Sequence, residues 1–229
     1  MLKFLQEIFS RKNLLQESIE MALEMIAIDK RMFDASVKSL RQQDTTEVEI
    51  DIYQTDREIN RLEQDVRKKV LTHLAVSGAD ELSVGLTLVS VISDIERSGD
   101  YTKNIYELAV EHPKRLVAGK WEDDLKWMEN AVSEDLGNLV AALQENDEDQ
   151  AERIIDETTR VKKACDKYVL LLIKGEDETF STSTAVPLVL YMRYLKRVTA
   201  HIQNVTSSIV NPFHRLKYMD ERVRLIDKA

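Results

Sequence analysis

The sequence predicts an all-α protein built as two tandem, pseudo-repeated three-helix bundles. Three observations predict it. The 229 residues include only six Gly and three Pro, which leaves room for few turns and favours few, long helices. Apolar residues recur at helical spacing almost throughout, the pattern of amphipathic helices. A slide of the sequence by 100 residues pairs Asp56 with Asp156, Arg97 with Arg197 and Asn104 with Asn204, and lays SDIERSGDYTKNI on RYLKRVTAHIQNV without a gap. That is the mark of an internal repeat.

The elements follow in order. The start, MLKFLQEIFSRKN, is apolar and amphipathic, but too short for a signal peptide and without a cleavage pattern. It reads as an opening helix packed on the core, with docking on a membrane protein or partner as the functional alternative. The first long helix is expected from Leu14 to about Gln43, with Ile19, Leu23, Ile26 and Phe33 on one face. The second runs from about Thr46 to Leu74, striped by Val48, Ile52, Ile59, Val66 and Val70. VSGAD breaks it, and Asp80 is the expected N-cap of a third helix reaching Glu111. HPKRLVAGK carries Pro113 and Gly119 and is the linker. A fourth helix runs from Trp121 to about Gln144, and NDED (146–149) caps a fifth that reaches about Lys174. Pro187 falls early in the sixth, where proline is tolerated. Tyr191, Leu195, Val198, Ile202, Val205 and Ile209 share one face of that helix; Pro212 kinks or ends it, and a short helical tail follows. The domains are then residues 1–112, a linker 113–120, and 121–229, each bundle with a local core.

Charge narrows the partners. The net charge of −9 and the pI near 5.1 argue against nucleic acid, whose phosphates need a basic surface, and against broad adhesion to anionic lipid. No run of about 18 apolar residues exists, so no membrane span is expected. The single cysteine, Cys165, excludes an internal disulfide and fits a reducing, cytoplasmic location.

The chemistry-bearing residues lie on the second and third helices. In DIERSGD, Glu96 and Asp100 stand four apart, where like charges repel by a few tenths of a kcal/mol. Between them, Gly99 costs about 1 kcal/mol relative to alanine. It falls on the apolar stripe, where it lets another helix come close. Asp56 and Glu63 stand seven apart, on one edge of the second helix. If the two helices are antiparallel neighbours, four carboxylates converge, and oxygen-only clusters suit Mg, Mn, Fe or Ca. The alternative is a solvated acidic surface. Arg97 reads as a solvated ion-pair residue beside Asp94 and Asp100. His73, His112, His201 and His214 show no ligand spacing, and Cys165 reads as a small core residue. No phosphate-binding glycine loop, nucleophile elbow or zinc motif is present.

DIERSGDYTKNI resembles the helix motif LERIGDHAxNI of the PhoU family of phosphate-uptake regulators, matched at Ile95, Glu96, Arg97, Gly99, Asp100, Asn104 and Ile105. DREINRLEQDV resembles the preceding helix, DxxVNxLExxI, through Asp56, Ile59, Asn60, Leu62, Glu63 and Val66. The resemblance covers most of the chain and implies two tandem three-helix bundles. It also implies a metal site, which falls on Glu96 and Asp100 with Asp56 and Glu63 in support, for iron, zinc, manganese or magnesium. The second repeat departs from the motif, with Lys196, Thr199 and Ala200 where the first has Glu96, Gly99 and Asp100. In the gapless register Lys163 stands at the place of Glu63 and Cys165 at that of Asp65. A metal site is therefore expected in the first repeat alone. The implied function is non-enzymatic regulation of phosphate uptake and phosphate-responsive signalling, by binding a phosphate transporter, a sensor histidine kinase or both. Membrane association would come through such partners, and a homodimer is implied. The alternatives are a metal-dependent hydrolase and a metal-free helical adaptor of a sodium–phosphate carrier.

Overall fold

Long amphipathic stripes with little punctuation give long helices, and six account for most of the chain. The computed structural model describes residues 14–77, 80–112, 114–175 and 179–218. The helices are α1 (Leu14–Arg41), α2 (Ile52–Ser77), α3 (Leu82–Glu111), α4 (Glu122–Glu145), α5 (Glu148–Ile173) and α6 (Thr182–Val210), with 3-10 turns at Gly119–Trp121 and Phe213–Arg215. The opening segment 1–13 and the end of the C-terminal tail lie outside the described residues. No helix among the described residues is long and apolar enough to cross a membrane.

Helix ends follow local hydrogen-bond chemistry, and three differ from expectation. The second helix starts at Ile52 rather than Thr46, because the Asp51 carboxylate accepts the Gln54 N–H at 2.9 Å and satisfies a donor the helix leaves open. Asp80 does not cap α3; the residue before the helix is Glu81, without a side-chain cap, and its carboxylate turns to His73 of α2, 2.5 Å away. Pro187 sits in the second turn of α6, past the first-turn position where proline lacks a bond to lose. Elsewhere the signals hold. Asn146 takes a left-handed conformation (φ 51°) to stop α4, and Asp147 caps α5 by accepting the Gln150 N–H at 2.9 Å. Pro212 ends α6 at Val210, since the residue before a proline avoids helical dihedrals.

Within the first half α3 packs on α1 and α2; within the second α6 packs on α5 and α4. Across the halves α3 lies on α6 and α1 on α4. The local cores expected of the two bundles are thereby joined into one continuous core. Two buried polar clusters tie the halves. Arg41 of α1 donates to Glu129 and Glu122 of α4, each at 2.7 Å, and to the Leu116 carbonyl; Tyr191 of α6 donates to the same Glu129 oxygen at 2.8 Å. Asp94 of α3 accepts from His201 (2.8 Å) and Asn204 (2.7 Å) of α6 and pairs with Lys217 (2.6 Å). Burial pushes the Asp94 carboxyl up, but these three partners outweigh it and hold the group below its usual range. Asp94, expected as a solvated partner of Arg97, is thus committed to the interior, while Arg97 remains exposed.

Burial fixes the repeat register better than identity does. Ala22, Met25, Ile26, Ile28, Met32 and Phe33 of α1 recur as Leu125, Met128, Glu129, Ala131, Asp135 and Leu136 of α4, 103 residues on. Ile59, Glu63 and Val66 recur as Val161, Cys165 and Tyr168, 102 residues on, and Leu88, Ile92, Ile95, Gly99 and Thr102 as Leu188, Met192, Leu195, Thr199 and Ile202, 100 on. The gapless slide therefore holds only for the third helix of each repeat. Cys165, not Lys163, stands at the place of Glu63, and Thr158, not Asp156, at that of Asp56.

Candidate carboxylate site

The first repeat closes around Gly99. A Cβ there would lie 2.8 Å from Asp29 Oδ1 of α1 and 3.1 Å from Ile59 Cδ1 of α2. The missing side chain lets two helices approach α3, and it brings in a carboxylate the motifs do not contain. Asp29 is fully buried, and among the described residues neither of its oxygens accepts a hydrogen bond of good geometry, the Ser98 hydroxyl being its one polar neighbour of note. Burial raises its pKa well above the ordinary range; the Ser98 hydroxyl opposes this, and Glu96, Asp56 and Asp100 reinforce it.

The four carboxylates expected from the sequence are all present around this point, in different states. Asp56 and Asp100 are both held by Lys103, whose ammonium donates to one oxygen of each at 2.9 Å. Lys103 is partly buried, and these two acids raise its pKa against the opposing effect of burial. Glu63 is buried at the α2 surface and pairs with Arg67 at 2.8 Å. Glu96 is half-buried; burial raises its pKa, followed by Asp100 and Glu63, with Arg97 opposing and Asp56 reinforcing. Among the described residues no three of His, Cys, Asp or Glu already stand as a metal-ligand set.

Sequence reasoning missed Asp29 and the role of Lys103. A signal for Asp29 was present: it interrupts the buried stripe of α1 between Met25–Ile26 and Met32–Phe33. A lone acid on an apolar face is rarely left there without a use. Lys103 sits three residues after Asp100, but its reach to Asp56 depends on the α2–α3 register.

The second repeat builds the same junction from other chemistry. In the registers above, Asp29 is replaced by Val132, Asp56 by Thr158, Glu63 by Cys165, Glu96 by Lys196, Gly99 by Thr199, Asp100 by Ala200 and Lys103 by Gln203. Lys196 is neutralised by both oxygens of Asp166, at 2.6 and 2.5 Å, and Gln203 donates to Thr159 at 2.9 Å. Burial pushes the Cys165 thiol up to about 12, so it is an inert core group, as expected.

Two copies of a three-helix unit on one shared core, with a buried acidic junction in the first copy only, define a two-repeat helical-bundle protein. The family model described as PhoU domain matches residues 22–109 and 125–209, and the chain belongs to the PhoU family. Both matches fall within the two repeats, and their starts and ends are spaced as the helix registers are. The chain is 26% identical over 195 residues to a phosphate-specific transport system accessory protein PhoU homolog from Clostridium acetobutylicum, covering 80% of this chain and 84% of that protein. A homolog of the same description from Aquifex aeolicus is 24% identical over 153 residues, covering 64% and 66%. The fold is similar to the crystal structure of PhoU from Pseudomonas aeruginosa, with TM-score 0.77 and 16% identity over 87% of this chain and 96% of that one. It is also similar to the phosphate transport system regulatory protein PhoU from Streptococcus pneumoniae, with TM-score 0.68 and 17% identity over 88% and 94%.

Proposed function

We propose that this chain is a non-enzymatic accessory regulator of phosphate transport that acts by binding a component of the transport system. The observation that carries this reading is the match of PhoU domains to both halves, joined to the description of its relatives as phosphate-specific transport system accessory proteins. A phosphate transporter is the first partner under this reading, and a sensor histidine kinase the second; a homodimer would present each docking face twice.

The acidic junction of the first repeat is proposed as a cation site tuning that binding. Asp29 supports the reading most directly, because a buried carboxyl group without a well-formed hydrogen bond on either oxygen is a poor structural element. Oxygen donors of this kind suit iron, manganese or magnesium. Glu96, Asp100, Asp56 and Asp29 would hold the ion, with Glu63 at the rim. A bound cation would compensate carboxylates that now repel one another, and it would displace the Lys103 ammonium from between Asp56 and Asp100. The second repeat, with no carboxylate at the equivalent places, is left out of this role.

Deletion of the gene, followed by phosphate-uptake measurement and co-purification of the tagged chain with transporter subunits, tests the regulatory reading. Unchanged uptake together with no transporter subunit in the purified fraction would sink it. The cation reading is tested separately, by elemental analysis of the purified protein and of Glu96→Gln and Asp100→Asn. Metal content that is absent, or unchanged in both variants, removes the cation from the reading and leaves the rest standing.

A further inference from the structure

Away from the first-repeat junction, α4 and α5 border an open cavity of about 450 Å³. Asp123, Glu134 and Asp135 of α4 and Glu157 of α5 line it, with Trp127, and Lys126 is the one basic residue in the lining. Asp135 is the unusual member. The residue is only 5% exposed, and among the described residues its Oδ2 has no hydrogen-bond partner. Burial, with Glu157 and Glu134 nearby, pushes its pKa to about 7.

Packing does not call for an acid at this position. In the α1–α4 register Asp135 stands where the first repeat has Met32, which is completely buried. A methionine therefore serves the core in one copy, and a carboxyl group replaces it in the other, beside a cavity. Glu157 is already oriented, accepting from Trp127 Nε1 at 3.0 Å and from Arg160 at 2.6 Å. Asp135 lacks such a partner on Oδ2, which is itself shielded from solvent, and Asp123 and Glu134 share the lining with one lysine. The ligand that completes this arrangement carries positive charge. The cavity is far larger than a bare ion, and among the described residues no three acids stand as a metal-ligand set. A guanidinium or ammonium group on a side-chain stem fits both the charge and the size, because carboxylates bind such donors through charge-assisted hydrogen bonds; the Arg160 guanidinium already makes such a contact with Glu157 and lies over the Trp127 ring, 5.3 Å from its centre.

We propose that the α4–α5 cavity receives an arginine or lysine side chain from a basic segment of a protein partner, with Asp135 as the anchoring acceptor and Glu134 and Asp123 at the rim. Charge complementarity selects this occupant: an acidic cavity, on a chain of net charge −9, meets a basic side chain. The site is separate from the first-repeat junction and needs no metal.

The test titrates the full-length protein with the peptide Ala-Arg-Ala amide and with its citrulline counterpart, a neutral isostere, while following Trp127 fluorescence at physiological salt. The expected result is a saturable response to the arginine peptide about tenfold or more tighter than to the citrulline peptide, and absent from Trp127→Phe. Asp135→Met installs the residue type the first repeat carries at this place, so it keeps the core filled, and it abolishes the preference for arginine. Asp135→Asn, which preserves shape, weakens arginine binding about tenfold. Equal responses to the two peptides, or an arginine response untouched in Asp135→Met, would overturn the proposal. So would saturation by calcium or manganese ions with no response to the peptide, which would make this a metal site. Tighter binding of free arginine amide than of the peptide would make it a small-molecule site and overturn the partner reading.

Discussion

Replacing Gly99 with alanine tests whether the first-repeat junction is built around Asp29. The new methyl group would meet Asp29 Oδ1 at 2.8 Å and Ile59 Cδ1 at 3.1 Å. The first contact is closer than real Cβ atoms tolerate, and Asp29 is fully buried, so its carboxyl group has no solvent to move into. Overpacking of this kind costs roughly 1–3 kcal/mol. Alanine returns about 1 kcal/mol of helix propensity, leaving Gly99→Ala a net loss of up to about 2 kcal/mol. In an Asp29→Ala background the oxygen is gone, and only the Ile59 methyl must yield by a few tenths of an ångström. There Gly99→Ala is expected to be neutral, or to stabilise by up to about 1 kcal/mol. The two substitutions should therefore couple by roughly 1–3 kcal/mol. Urea denaturation of the four proteins in the cycle measures this directly from the midpoints and slopes. If Gly99→Ala has the same effect in both backgrounds, to within about 0.5 kcal/mol, the close approach of Asp29 is not what the glycine serves.

Further outcomes follow from the ionisable groups. The folded-state pKa of Asp29 lies above its unfolded value. Below the unfolded value the group is protonated in both states and costs nothing; above it only the unfolded chain ionises, so stability falls as pH rises toward the folded value. Asp29→Asn should remove this slope, read from denaturation midpoints across a pH series; a variant as pH-dependent as the parent would contradict the assignment. Asp94 has the opposite sign: its pKa is lowered, so its stabilisation is present above the unfolded value and is lost as pH falls through the folded one. Asp94→Ala leaves His201, Asn204 and Lys217 without their shared acceptor and should cost roughly 3–5 kcal/mol at neutral pH, a gap that closes in acid. Lys103→Met should destabilise the metal-free protein by releasing Asp56 and Asp100 to repel each other, and should tighten manganese binding by calorimetry. Weaker manganese binding in this variant would show that the lysine assists the ion rather than competing with it.

What the sequence could and could not reveal follows from the range of the forces involved. Helix identity was legible, because the apolar stripe of α6 from Tyr191 to Ile209 and the scarcity of Gly and Pro are local statements. Helix starts were less so: Asp51 and Asp80 are equally good caps on paper, and only the fold sends Glu81 to His73 and leaves Asp51 to close α2. The repeat was legible in the third helices but slipped elsewhere, because loop lengths shift α1 against α4 by 103 residues and α3 against α6 by 100. Glu96, Asp100, Asp56 and Glu63 were found by helical geometry. Asp29 was not, because a stripe counted in apolar residues skips the acid within it. Asp94 was misplaced because its partners lie more than a hundred residues away, on α6 and beyond it.

The comparison between the repeats separates what the fold requires from what the first repeat adds. Both copies form the same three-helix junction on one shared core. At that junction the second copy uses Val132, Thr158, Cys165, Thr199 and Ala200, which pack or bond locally, and it neutralises Lys196 with Asp166. The fold therefore does not need Asp29, Asp56, Glu63, Glu96 or Asp100. Keeping them has a cost, since burial and mutual repulsion push Asp29 and Glu96 upward, and among the described residues the ion pairs formed at this junction reach Asp56, Asp100 and Glu63 but not these two. Groups that the fold can do without, and that folding penalises, are best explained by something they bind. The same reasoning applies with the roles of the copies exchanged at the α4–α5 cavity, where Met32 shows what a purely structural residue looks like and Asp135 departs from it. Each repeat thus carries an acidic departure from its twin at a different place, the first facing inward at the α1–α2–α3 junction and the second opening to the surface between α4 and α5.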